Sequence, residues 1–163
     1  MRARHPTVWL MTDERADPIA AARRLPRGAG IVFRHYATPA RERRALWRRL
    51  RSVARVRGLL LLRAGPTPLP GEDGTHGRRG ALTWPAHTHA EARAGRRAGA
   101  KLLFVSPIHA TRSHPGAPAL GPVLARRIGQ GLSLPLIALG GMDARRYARL
   151  DGFAGWAAID AFN

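Results

Sequence analysis

The chain contains no cysteine in its 163 residues, which excludes disulfides and thiolate metal sites and leaves the redox compartment open. Lysine is almost absent as well. Lys101 is the single one, so 27 of the 28 basic residues are arginines, set against ten acidic residues for a formal charge of +18. Aromatic residues make up only 6%, few for a surface that stacks on bases, and the arginines recur on most expected helices instead of gathering in one patch or tail. With abundant Ala, Gly and Pro, this reads as the composition of a GC-rich genome. It argues against dedicated nucleic-acid binding and predicts only nonspecific attraction to polyanions. No run approaches the ~20 apolar residues of a membrane span. The stretch Val8-Trp9-Leu10-Met11 behind the basic N-terminus is also shorter than a signal core of about 7–15 residues. A cytoplasmic protein with no membrane partner is the expectation.

What the chain does have is a hydrophobic fraction of 45% and a length that suits one domain, residues 1–163, around one core. Strand-like and helix-like segments alternate along it. Short apolar strands are expected at Val8–Thr12, Gly30–Phe33, Gly58–Leu62, Ala81–Pro85 and Lys101–Ser106. Helices are expected at Asp17–Arg24, from Pro39 to Arg57, at Thr88–Ala98 and Pro122–Leu132, and behind an Asp143 N-cap through Leu150. Pro135 to Met142 reads PLIALGGM, the pattern of a strand covered on both faces that stops on a glycine pair. Glycines there let a ligand's phosphate approach backbone N–H groups.

Leu102 to Gly121 (LLFVSPIHATRSHPGAPALG) and Gly155 to Phe162 (GWAAIDAF) likewise begin as apolar strands and break into small, polar or turn residues. In order and wording, these three segments resemble the thiamine phosphate synthase/TenI family, whose fold is a compact (β/α)8 barrel. The resemblance implies α/β architecture of TIM type. At 163 residues the barrel must be trimmed, since about 250 is typical. Ala64 to Gly80 is rich in Pro and Gly without helical period, so the third helix is expected to be replaced by an irregular connection, with Asp73–Gly77 matching the family's fourth strand. No room remains for an eighth helix, which predicts an apolar flank near the first helix; a homo-oligomer is one way to cover it.

In a parallel barrel the strand ends converge on one rim. For this chain the rim holds Thr12, Asp13, Arg34, Arg63, His76, His87, Ser106, Thr111, Ser113, Gly140, Gly141 and Asp160, a polar set suited to a small anion. By resemblance, Arg34 matches the arginine of the family's Q-x-R-x-K motif, with Val32 and Tyr36 at the Gln and Lys positions. Thr111 and Ser113 stand for the hydroxyls of P-T-x-T-K, Gly140-Gly141 for the thiazole-phosphate site, and Asp160 for the family's serine on the last strand. Two anions would repel at Asp160 unless Arg34 or Arg63 lies between. Ala86-His87-Thr88 matches S-x-H-[ST], whose histidine transfers a proton in TenI-type tautomerases, and histidine suits general acid/base work near neutral pH.

Arg63-Ala64 and Gly77-Arg78-Arg79-Gly80 stand where family synthases carry magnesium carboxylates. Arginines oppose a hard dication, so no metal and no cofactor is expected unless the synthase reading holds. No H-E-x-x-H pattern is present, and no zinc site is expected. The readings left open are a metal-independent tautomerase acting on a thiazole phosphate carboxylate, with Arg63 holding the carboxylate, and a synthase coupling hydroxymethylpyrimidine pyrophosphate to thiazole phosphate. A non-catalytic phosphate-ligand binder and a polyanion binder complete the set.

Overall fold

The computed structural model describes residues 5–111, 116 and 118–162. Eight parallel strands close into a barrel in sequence order. They are β1 (Val8–Met11), β2 (Gly30–Phe33), β3 (Leu60–Ala64), β4 (Gly74–His76), β5 (Thr83–Ala86), β6 (Leu102–Val105), β7 (Leu136–Leu139) and β8 (Gly155–Ala158). Five helices surround them: α1 (Pro18–Arg24), α2 (Ala40–Arg57), α3 (His89–Arg97), α4 (Gly121–Ile128) and α5 (Ala144–Tyr147). Polar caps set three helix starts. Asp17, Thr88 and Asp143 accept backbone N–H groups at the first turns of α1, α3 and α5, and Thr88 with Glu91 forms a full capping box.

Strand pleating splits the core in two. Trp9, Met11, Val32, Leu62, Leu102, Phe104, Ile137 and their neighbours fill the barrel, with the Trp9 and Phe104 rings edge to face at 5.2 Å. Alternate residues such as Ile31, Phe33, Leu61 and Leu103 face outward and bury helix side chains. Each fully buried large apolar side chain contributes about 1.5–3 kcal/mol.

No helix follows β3, as expected, and none follows β4 either, so two consecutive crossovers are trimmed. Pro66, Pro68 and Pro70 lack backbone donors and prevent a helix. The connection is nevertheless built into the fold. Leu69 is buried beside Trp47 of α2, Trp47 Nε1 donates to Pro70 O at 2.9 Å, Arg51 donates to Gly71 O, and Leu61 N donates to Asp73 Oδ2 at 2.8 Å. No eighth helix is present among the described residues, yet the flank beside α1 is not open. Phe162 turns back to stack on Trp156, with centroids 5.4 Å apart, and its carbonyl accepts from Arg24 at 2.9 Å.

Candidate functional site at the C-terminal rim

The pleat decides which strand-end residues face the barrel mouth. On β2 Val32 points inward, so Arg34 and Tyr36, two and four residues on, continue toward the mouth. On β3 Leu62 and Ala64 point inward, which turns Arg63 outward. Arg34, His87, Thr111, Gly140, Gly141 and Asp160 all line one cavity of about 890 Å³. His76 and Ser106 also line it; Ser113 and His114 lie outside the described residues.

Arg63 is therefore a correction to the ligand set. It is only 4% exposed, its Nε and Nη2 engage both carboxylate oxygens of Glu72 (Nη2 to Oε1 at 3.0 Å), and Nη1 donates to Gly65 O. The Arg63 guanidinium in turn holds the Glu72 carboxyl below the usual range, against partial burial. The pair ties the end of β3 to the irregular connection that runs from β3 to β4. Counting inward residues along β3 is the sequence signal that would have shown it.

Arg34 is held from behind. Its Nε donates to Thr12 O at 3.0 Å and its amide donates to Thr12 Oγ1 at 3.1 Å, with Asp13 at 3.8 Å from Nη2. His35 next to it is buried, at φ 33°, with its ring stacked on Phe33 at 4.7 Å and Nδ1 2.9 Å from Thr12 Oγ1. Burial pushes its pKa down. Arg43, from the start of α2, ties the ends of β2 and β3 together by donating to His35 O (3.1 Å) and Ala64 O (2.9 Å). A left-handed backbone at a non-glycine residue, fixed by this many contacts, aims Arg34.

Between Asp13 and Asp160 lies Arg15, at 2.7 and 3.4 Å, a role expected of Arg34 or Arg63. Arg146 also lines the cavity and donates to Gly141 O. Gly140 and Gly141 have φ +99° and +59°, and a Cβ at Gly141 would come within 2.7 Å of Ala110 O. The glycine pair is thus required for the loops after β6 and β7 to touch, which also sets where Thr111 stands.

His87 is 57% exposed at the cavity edge. Its Nδ1 donates to Glu91 Oε2 at 3.1 Å, and the same carboxylate accepts the His87 and Thr88 amides. The His87 amide bond is the chief influence holding the Glu91 carboxyl below its ordinary range. With Nδ1 engaged, Nε2 is the nitrogen left to exchange protons. Deeper in, His76 is 8% exposed, its Nδ1 2.8 Å from Thr83 Oγ1, and desolvation followed by the Arg34 charge lowers its pKa to about 4.

The carboxylates nearest the cavity are engaged by the protein's own arginines and amides. Among the described residues no three His, Asp or Glu side chains stand together as a metal group. Asp13 and Asp160 share Arg15, and Asp143 accepts the Arg146 amide at 2.8 Å. This donor set does not fit a hard dication.

Comparison with known proteins agrees with the fold. The thiamine phosphate pyrophosphorylase from Pyrococcus furiosus superposes with a TM-score of 0.76 at 20% identity, covering 95% of this chain and 86% of that one, a likeness of fold alone. The thiamine biosynthesis bifunctional protein ThiM/ThiE of Symbiobacterium thermophilum is 30% identical over 152 residues, 80% of this chain but 32% of that protein. The thiamine-phosphate synthase of Geobacillus thermodenitrificans is 44% identical over 61 residues, 36% of this chain and 28% of that protein. The chain spans less than a third of the length of these curated relatives. The thiamine monophosphate synthase family model matches residues 68–162, from the trimmed connection through β8. With a closed eight-stranded barrel, a rim cavity and this match over more than half its length, the chain belongs to the thiamine monophosphate synthase family.

Proposed function

We propose that the chain acts on a thiazole phosphate carboxylate by metal-independent, TenI-like proton transfer at the rim cavity. One observation carries this reading: His87 shares a cavity with the anion donors Arg34 and Thr111, while the nearby carboxylates are already bonded to arginines or to a helix amide.

The chemistry follows from those groups. Arg34, anchored through Nε, presents its remaining guanidinium N–H groups to a phosphate or carboxylate, and the Gly140-Gly141 turn and Thr111 add donors. His87 Nε2 takes a proton from the bound ring, the ring electrons shift, and the proton is returned at a second ring position. Composition is unchanged, so neither oxidant nor metal is consumed. Glu91 holds Nδ1–H and stabilises the imidazolium while it carries the proton. Positioned acid/base groups of this kind contribute about 10²–10⁴-fold.

The names of the curated relatives favour a second reading, synthase coupling of a pyrimidine pyrophosphate to thiazole phosphate. The arginines at the mouth, Arg15, Arg34 and Arg146, would then offset the charge of departing pyrophosphate.

Calorimetry and turnover with thiazole phosphate, thiazole phosphate carboxylate and pyrimidine pyrophosphate, each with and without magnesium, separate the two. Tautomerisation unaffected by magnesium is the expected result. Magnesium-dependent coupling, with no tautomerisation, would replace this reading with the synthase.

A further inference from the structure

The charge of +18 is not spread evenly over the barrel. Helices run opposite to the strands, so α1, α2, α3 and α4 end at the N-terminal face, remote from the cavity. Each of the four carries two arginines in its last turn. Arg27 and Lys101, in the turns entering β2 and β6, add to the same end. Acidic residues collect at the other end. Asp13, Glu14, Asp17, Glu42, Glu91, Asp143 and Asp160 lie at strand C-termini or at helix starts, whereas Glu72, Asp73 and Asp151 precede strands.

These basic residues are not neutralised within the protein. Among the described residues every ion pair lies at the cavity rim or in the connection after β3, and none involves an arginine of these last turns. Arg24, Arg57 and Arg126 bond only backbone carbonyls. Helix C-termini favour basic residues by about 0.3–1 kcal/mol each, which accounts for some of them. It does not account for the near absence of carboxylates alongside. Because α1 packs beside α2 and α3 beside α4, the arginines form two blocks on rigid helix ends, and an open dish of about 760 Å³ lined by Arg126 and Arg127 lies between α4 and the turn before β8.

We propose that this N-terminal face docks the phosphate backbone of double-stranded nucleic acid, without reading its sequence, and leaves the rim cavity open. Arginine forks match phosphate oxygens, and a duplex presents about one charge per 1.7 Å of axis to a face of this width. A single strand fits less well. Among the described residues the one exposed large aromatic is Tyr36, at the opposite rim, so this face offers no ring on which bases could stack. A membrane surface also fits less well, since the large apolar side chains exposed near this face, Val56 on α2 and Val123 in the dish, are single residues set among arginines and form no continuous apolar patch.

The test is fluorescence anisotropy of a labelled 25-base-pair duplex across a potassium chloride series. Binding in the 10⁻⁴–10⁻⁶ M range near physiological salt is expected, with a log–log salt slope of about −4 for four or five phosphates contacted. The variant Arg96→Glu/Arg97→Glu/Arg126→Glu/Arg127→Glu should lose at least ten times more affinity than Arg41→Glu/Arg44→Glu/Arg48→Glu/Arg49→Glu, which makes the same charge change on α2. Should the first misfold, Arg96→Gln/Arg97→Gln changes two exposed side chains outside every hydrogen bond described above and must still flatten the salt slope. Equal losses from the two quadruple variants would show that net charge alone is responsible and overturn the proposal. Binding to phosphatidylserine vesicles but not to duplex would overturn it in favour of a lipid surface. Thiazole phosphate affinity should be the same with and without duplex; competition between them would put the duplex at the rim instead.

Discussion

Acid should destabilise this protein through His76, and the size of the effect can be worked from its surroundings. His76 stands inside the barrel with its pKa lowered to about 4 by burial, whereas an unfolded histidine titrates near 6.5. Between those values the unfolded chain binds more protons than the folded one. Stability is therefore full above pH 6.5 and is lost as pH falls toward 4. Linkage gives a loss of about 2 kcal/mol between pH 7.5 and 5, and about 3 kcal/mol by pH 4. Against a typical total of about 5–15 kcal/mol that is readily measured. His35, also lowered by burial, acts in the same direction. Urea titrations of wild type and His76→Gln at pH 7.5, 6 and 5 isolate the one residue, because His35 is common to both. The stability gap between the two proteins should shrink by about 2 kcal/mol across that range. Parallel pH profiles would mean that His76 is not held neutral by its site, and the reasoning would fail.

Other substitutions probe the rim. His87→Gln should lower turnover of a thiazole phosphate carboxylate by about 10²-fold or more while binding changes little, as measured by steady-state kinetics beside calorimetry; full retained turnover would remove His87 from the chemistry. Arg63→Met should leave anion affinity nearly unchanged but destabilise the fold by about 3 kcal/mol, because Glu72 loses its buried partner. Lost anion binding in a fully stable Arg63→Met protein would return Arg63 to the site. Tyr36, 63% exposed at the mouth beside Arg34, is placed to stack on a planar ring. Tyr36→Ala should weaken thiazole phosphate by about three- to tenfold and inorganic phosphate not at all; equal losses for both ligands would point to a general change in the mouth.

Local features of the fold were legible because each rests on neighbours in sequence. Pro39, Asp17, Thr88 and Asp143 mark helix starts by their own backbone chemistry, and the three prolines of the β3–β4 connection exclude a helix wherever they fall. The loss of a second crossover after β4 was implicit in the short span between His76 and Ala81. Which residues reach the cavity was legible where depth depends only on strand parity, as at Arg34 and Gly141. Arg63 stands outside the cavity lining because Leu62 and Ala64 on either side of it face inward, a parity that a matching motif does not carry. Arg15 bridging Asp13 and Asp160 joins residues 145 apart, and no local pattern carries such a pairing. The division of charge between the barrel's two ends became visible only once helix direction was known.

The strand register shows where this barrel is thinnest. β4 and β5 are matched through one residue pair, His76 with Thr83, while most other adjoining strands match through three or four. The same two residues hold the seam a second time, ring nitrogen to hydroxyl, and two backbone bonds, Gly77 N to Thr83 O and Leu82 N to Thr75 O, complete it. No helix follows β3 or β4, and the helix that reaches this join is α3, whose C-cap carbonyl, Ala98 O, accepts from Gly80 N at 2.8 Å. The barrel thus behaves as a staved cask with one narrow stave gap, and the amides of Gly77 and Leu82 are where deuterium should enter first. His76 sits at once on that gap and on the cavity wall, so a ligand resting against it would also tighten the hoop, and occupancy of the mouth would be felt as slower exchange along the seam.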